Sequence, residues 1–129
     1  MKLKSSLAFA SVLLVGLATG AGLTTALRAQ GTPPAYLVAE EAIHDMDTFR
    51  KEYGPNVPAT LQPFGGRPIV RGGKLAALEG DAPPRVAIIA FDSMDKALAW
   101  YNSPAYQQLI PIRQKASKST LFIVEGVAN

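Results

Sequence analysis

The residues best suited to hold a small molecule are aromatic and basic, and they come from separate segments of the 129-residue chain. Aromatic rings that end in a hydroxyl or an indole N–H give a pocket apolar walls with polar tips. A guanidinium can bind a carboxylate through two parallel hydrogen bonds. Together they would suit a small aromatic or carboxylate-bearing ligand; the alternative is ordinary core packing with tyrosine hydroxyls satisfied at its rim. The candidate ligand-binding residues are Tyr53, Arg71, Trp100, Tyr106 and Arg113.

Histidine titrates nearer neutral pH than other side chains, so the only histidine, His44, is the candidate acid or base. It follows the first predicted strand, where the alternative is an exposed loop residue without chemistry. One histidine and no cysteine do not supply a zinc or blue-copper site, and we expect neither a metal nor a cofactor. Ser93 caps a predicted helix and Ser103 precedes a proline at a helix break, so neither indicates a nucleophile. No catalytic residue is assigned.

The carboxylates around the first strand are predicted to be structural. Glu40 and Glu41 read as surface residues of the strand. Asp45 can cap the helix that follows, and Asp47 adds negative charge in its first turn, where the helix dipole favours it. The run Arg71-Gly72-Gly73-Lys74 superficially resembles a phosphate cradle, but no helix follows it, so it predicts a hairpin turn instead.

Periodicity and turn residues predict the strands and helices that would position these side chains. Gly72 and Gly73 accept the positive φ angles of a tight turn, so a hairpin is expected around them. The order is β-α-β-β-α-β with an extra β-hairpin strand, which predicts an α+β fold of the ferredoxin-like sandwich type. The predicted strands are Ala35 to Ile43, Pro68 to Arg71, Lys74 to Glu79, Arg85 to Phe91 and Ser119 to Val127; the helices are Met46 to Tyr53, Pro58 to Gln62, Met94 to Asn102 and Pro104 to Lys115, the last kinked or split at Pro111.

Two predicted strands are apolar on both faces. Ile88 and Ile89 are adjacent in one strand, and Phe122 and Ile123 are adjacent in the last, so each pair points to opposite sides of the sheet. Two helices cover only one face of a ferredoxin-like sheet, and strands that are apolar on both faces need both covered. We therefore expect a homodimer that packs through the uncovered sheet face.

Residues 1–29 have the layout of a bacterial secretory signal, with a basic start, an apolar stretch and a weakly polar region rich in Gly, Ala and Thr. We expect export to the periplasm or beyond the cell. The cleavage site is open between Ala26 and Ala29. The uncharged residues 5–27 could instead remain as an anchor in the inner membrane, which is the one arrangement in which the protein would contact a membrane.

The rest of the chain reads as one domain without net charge. Residues 30–34 are a short proline-containing linker, and residues 35–127 form the predicted domain. Three basic residues lie in the leader, ahead of the first acidic residue, Glu40, so ten basic and ten acidic residues remain after it. A neutral domain without a basic stripe argues against nucleic acid as a partner. The absence of cysteine means that an oxidising compartment offers this domain no disulfide.

Several short motifs carry a family resemblance. They are AYLVAE at 35–40, VPAT at 57–60, GGR at 65–67, VRGGK at 70–74, LEGD at 78–81 and AWYNSPAYQQLIPIRQKA at 99–116. In these motifs the chain resembles the bacterial family known as domain of unknown function 1330 (DUF1330), of the dimeric α/β-barrel superfamily. The resemblance implies ferredoxin-like protomers that join sheet to sheet into a barrel. The superfamily includes cofactor-independent monooxygenases, lactone isomerases, haem-handling proteins and members without catalysis, and no catalytic residue set transfers to this chain.

Two functional hypotheses follow. The first is an exported dimer that binds a small organic molecule, aromatic or carboxylate-bearing, without catalysis. The second is a cofactor-independent monooxygenase-like or isomerase-like enzyme, with His44, Tyr53 or Arg113 as acid, base or anion holder. The small number of titratable groups suited to proton transfer argues against the second.

Overall fold

The computed structural model of the protein describes residues 31–129, of which Pro33–Val127 form one compact unit. The predicted signal or anchor, residues 1–29, lies outside the described residues. No helix between residues 31 and 129 combines the length and the hydrophobicity needed to cross a membrane.

Four strands in the described part of the chain form one antiparallel sheet in the order β2-β3-β1-β4. In the central strand β1, Leu37 lies opposite Ile89 of β3 on one side and Ile123 of β4 on the other. These three residues mark the inner face, which the helices cover; the opposite side is the outer face. The predicted α+β, ferredoxin-like fold is therefore confirmed. The strands are β1 (Ala35–Ile43), β2 (Arg67–Arg71), β3 (Arg85–Phe91) and β4 (Ser117–Glu125).

The first helical segment joins β1 to β2 and changes its winding several times. It begins as predicted at Asp45, whose Oδ1 accepts a hydrogen bond from the Thr48 N–H at 3.1 Å. Gly54 and Pro55 do not end it, because Gly54 has helical dihedrals and Pro55 stands in the first turn of a 3₁₀ helix, where a proline fits. The pieces are α1 (Met46–Thr48), a π-helix (Phe49–Tyr53), a 3₁₀ helix (Gly54–Asn56), α2 (Val57–Leu61) and a 3₁₀ helix (Gln62–Phe64).

The second helical segment joins β3 to β4 as α3 (Met94–Tyr101), α4 (Pro104–Gln107) and α5 (Ile110–Ala116). Ser93 caps α3 as predicted, with its Oγ accepting from the Lys96 N–H at 3.2 Å. Ser103 caps α4, and its Oγ accepts from the Tyr106 N–H at 3.3 Å. The expected split near Pro111 is present, since that residue lies in the first turn of α5.

The predicted strand from Lys74 to Glu79 was wrong. This segment is irregular and exposed, and β2 pairs directly with β3 across a long loop of residues 72–84. Its Leu, Ala, Lys and Glu residues favour helices over a pleated sheet, and none of its residues is β-branched. Gly72 has the expected positive φ, at +63°. It opens this loop, with its N–H bonded to the Val86 carbonyl at 2.9 Å, and does not form a two-residue turn.

The centre of the core lies between α3, α4 and the inner face of the sheet. Trp100 and Tyr106 are completely buried, and their ring centroids are 4.0 Å apart. The indole N–H of Trp100 donates to Thr60 Oγ1 at 3.0 Å, so the first helical segment is joined to the second by a satisfied polar contact. The Phe91 ring packs 5.6 Å from Trp100 and connects both to β3.

Gly66 provides a steric test of this packing. A Cβ atom there would lie 2.6 Å from Leu61 Cδ2 and 2.8 Å from Phe91 Cε1, and both side chains are buried. We expect Gly66→Ala to lower the free energy of unfolding by about 1–3 kcal/mol, as overpacking does. The matched control is Gly73→Ala, because its Cβ would meet no atom within 4 Å. Urea unfolding of both variants measures the difference; equal stability would contradict the described packing.

Candidate functional site

A cavity of about 300 Å³ lies between the inner face of the sheet and the first helical segment. We call it the inner cavity. Its walls are mostly apolar, and its few polar groups gather at one end. The residues that line it are Leu37, Ala39, Glu41, Phe49, Tyr53, Gly54, Pro55, Val57, Pro58, Pro68, Val70, Arg71, Arg85, Ala87, Ile89 and Leu121.

The π-helix brings two aromatic rings to one wall of the inner cavity. The Gly54 N–H reaches back five residues to the Phe49 carbonyl, which widens the turn between them. Phe49 and Tyr53 are nearly buried, and their ring centroids lie 5.0 Å apart. Across the cavity, Leu37 and Ala39 form the floor because alternate residues of β1 point inward. An apolar body can therefore lie between the rings and the sheet.

An ion pair between a buried carboxylate and a partly exposed guanidinium defines the polar end of the inner cavity. Glu41 is 3% exposed, and its Oε2 accepts from the Arg85 guanidinium, which stands opposite it in the β1–β3 register. Arg85 also lies over the Phe49 ring, 5.3 Å from its centroid. A Cβ at Gly72 would be 2.5 Å from Arg85 Nε, so the glycine leaves the space that this side chain occupies. Arg85 is thus held from three sides.

Burial raises the pKa of both kinds of acid at this site, the carboxyl and the phenols. It raises the pKa of Glu41 above its ordinary value, and the nearby Arg85 guanidinium opposes this shift only in part. Burial also raises the pKa of Tyr53 and that of Tyr106 above their ordinary values. Both tyrosines therefore remain protonated phenols, which can donate and accept hydrogen bonds but do not act as bases at neutral pH.

The structure divides the predicted ligand-binding residues into three groups. Tyr53 and Arg71 line the inner cavity. Trp100 and Tyr106 belong to the core behind it, although the Tyr106 hydroxyl hydrogen-bonds that of Tyr53 at 2.9 Å. Arg113 is 5% exposed and borders a different cavity, of about 370 Å³, near the start of β4; its Nε has no hydrogen-bond partner. Whether any of them binds a ligand remains a prediction.

His44 lies outside the inner cavity, on an exposed turn after β1. Its Nε2 donates to the Lys115 carbonyl at 2.9 Å, so the ring ties this turn to the end of α5. No cluster of three or more potential metal-binding side chains occurs within residues 31–129.

The prediction that Glu41 is a surface residue was wrong, and Arg85 was missed altogether. One sequence signal could have found the first: Ala35, Leu37 and Ala39 share one face of β1, and Glu41 continues the same alternation inward. The partnership with Arg85 depends on which residues face each other across two strands, and that register is a tertiary property.

The family model described as Domain of unknown function (DUF1330) matches residues 34–127 of the chain. No protein of curated function matches it in sequence.

Three solved structures resemble the chain. A protein of unknown function from Rhodopseudomonas palustris is 16% identical, with a TM-score of 0.59, covering 84% of this chain and 94% of its own. A dimeric ferredoxin-like protein of unknown function from Thermobifida fusca is 14% identical, with a TM-score of 0.46; the match covers 74% of this chain and 93% of that protein. SnoaB, a cofactor-independent oxygenase from Streptomyces nogalater, is 12% identical, with a TM-score of 0.41; the match covers 76% of this chain and 97% of SnoaB. The first of these likenesses shows a shared fold.

The raised pKa of Glu41 predicts how stability changes with pH. A carboxyl that holds its proton more tightly when folded stabilises the fold at low pH, and this contribution is lost as the pH rises from about 4.5, its ordinary value, through the raised pKa. Glu41→Gln cannot titrate, so the free energy of unfolding of the wild type should fall relative to that of the variant over this range. Glu40→Gln is the control, because Glu40 is exposed on the outer face. Parallel profiles for wild type and Glu41→Gln in denaturant titrations would contradict the assignment.

Proposed function

The chain belongs to the family Domain of unknown function (DUF1330), and we propose that it binds a small organic molecule, aromatic or carboxylate-bearing, in the inner cavity without catalysing a reaction. The observation that carries this proposal is the cavity itself, an apolar space between sheet and helices with its polar groups at one end. Ligand sites in proteins commonly combine apolar walls with a few polar groups that orient the ligand.

The size of the inner cavity supports a small ligand. Its volume of about 300 Å³ is at the lower end of the range for ligand pockets. Since a water molecule occupies roughly 30 Å³ in the liquid, the space holds about ten groups of that size. A single aromatic ring with one substituent and one carboxylate meets that limit. The Phe49 and Tyr53 rings offer it a face to pack against.

One observation favours the alternative, a cofactor-independent monooxygenase-like or isomerase-like enzyme. Glu41 lines the inner cavity, and its raised pKa brings it closer to that of a general base working near neutral pH. Against this, its Oε2 is held by Arg85, and the protonated Tyr53 beside it is not a base. We therefore retain binding as the proposed function.

We further propose that the protein is an exported homodimer joined through the outer face of the sheet. Tyr36, Val38, Ile88, Phe122 and Val124 lie on that face, where Val38 stands between Ile88 and Phe122 in the strand register. In the single protomer Phe122 is 45% exposed and Val124 is 48% exposed. A second copy would cover this apolar surface, and the leader-like residues 1–29 support export to the periplasm or beyond.

Filling the inner cavity tests the binding proposal. Ala87 lines the cavity from β3, so the larger ring of Ala87→Phe would occupy ligand space. We expect its affinity for 4-methylbenzoate, measured by ligand-observed NMR, to fall about ten-fold or more, which corresponds to about 1.4 kcal/mol. The control is Ala105→Phe on the exposed side of α4. Unchanged affinity in a folded Ala87→Phe variant would rule out this cavity as the binding site.

A charge on the outer face tests the dimer. We expect Phe122→Lys to convert a dimer to a monomer, because burying an unpaired ammonium in an apolar interface is strongly unfavourable. Leu98→Lys is a matched control, since Leu98 has the same 45% exposure but lies on α3. Light scattering coupled to size-exclusion chromatography gives the mass of each. A monomeric wild type, or a dimer that survives Phe122→Lys, would refute the proposed interface.

A further inference from the structure

A second cavity, of about 430 Å³, adjoins the polar end of the inner cavity. We call it the outer cavity. The two share Glu41, Phe49, Arg71 and Arg85 in their walls. Arg50 borders only the outer cavity, whereas Leu37 and Ile89 border only the inner one. The combined space therefore changes from apolar to basic along its length.

The charges along this space do not cancel. Glu41 is the only carboxylate that lines either cavity, and it is already paired with Arg85. Arg85 also lies over the Phe49 ring and occupies the space left at Gly72. The two charges of this pair offset each other. The remaining basic groups, Arg50 and Arg71, leave a formal charge of +2 at the outer end.

Arg50 and Arg71 have no ion-pair partner among residues 31–129, in which the ion pairs are those of Arg67, Arg85 and Lys96. Both side chains are exposed, so their donors are accessible to a ligand. Two guanidinium groups beside a low-dielectric apolar wall attract anions and repel cations. A guanidinium also matches the planar, two-oxygen geometry of a carboxylate better than an ammonium does.

From this arrangement we propose that the ligand is a small apolar acid, bound with its body in the inner cavity and its carboxylate in the outer cavity between Arg50 and Arg71. This inference rests on the proposed binding function and adds the charge of the ligand and its orientation. The Glu41–Arg85 pair marks the boundary between the two parts, since both residues line both cavities. Selectivity for an acid over its neutral analogue then comes from Arg50 and Arg71, and affinity for the ring comes from the apolar walls.

A pair of isosteric probes tests the inference: 4-methylbenzoate, and 4-methylbenzamide, which has the same shape without the charge. At neutral pH we expect the acid to bind about ten-fold more tightly or better, as the loss of a charge-assisted hydrogen bond implies. Arg71→Gln and Arg50→Gln should each reduce this preference, mainly by lowering the affinity for the acid. Raising the ionic strength from about 0.05 M to about 0.5 M should lower the affinity for the acid and leave the affinity for the amide nearly unchanged.

The matched control is Arg67→Gln, because Arg67 is also exposed on β2 but pairs with Asp92 at 3.2 Å and lines neither cavity. This variant should keep the wild-type preference. If acid and amide bind equally and both are lost in Ala87→Phe, the charge inference is overturned while the proposed function stands. Failure of both probes to bind the folded wild type would overturn the proposed function, and the inference with it. A preference for the acid that persists in Arg71→Gln and Arg50→Gln would place the anion elsewhere.

Discussion

The buried carboxylate of Glu41 is the constraint on which the organisation of the site depends. A carboxylate inside a protein needs a charged or hydrogen-bonding partner, because desolvation is otherwise too costly. The β1–β3 register places Arg85 opposite it. Arg85 in turn requires the bare backbone of Gly72 on one side and packs on Phe49 on the other. One ion pair thus joins two strands, the loop after β2 and the first helical segment.

The space over the inner face is filled unevenly, and this separates core from cavity. On one side the second helical segment inserts Trp100 and Tyr106, which are completely buried between helices and sheet. On the other side the first helical segment consists of short pieces of changing winding, whose small residues and prolines do not fill the same volume. The Tyr53–Tyr106 hydrogen bond lies at the boundary between them. The cavity is therefore a consequence of irregular helical packing beside a well-packed core.

The two faces of the sheet have separate roles in the proposed function. The inner face carries the cavity, while the outer face carries the exposed apolar side chains of Phe122 and Val124. Because successive residues of each strand point to opposite sides, association through the outer face leaves the cavity lining of the same strands in place. Substitutions on alternate residues should therefore change the proposed ligand binding and the proposed dimer independently.

The amino-acid sequence by itself determined the element order and the ferredoxin-like fold, because these follow from local signals: the apolar runs of β1 and β3, the caps Asp45 and Ser93, and proline breaks. Prediction from the sequence failed where local turn signals did not match the actual pairing of the strands. The glycines at 72 and 73 suggested a tight turn, but the helix-favouring residues after them formed no strand. Only the tertiary structure decided the site, since the pairing of Glu41 with Arg85 and the separation of Tyr53 from the Trp100 core depend on strand register and packing between distant segments, which no local pattern encodes.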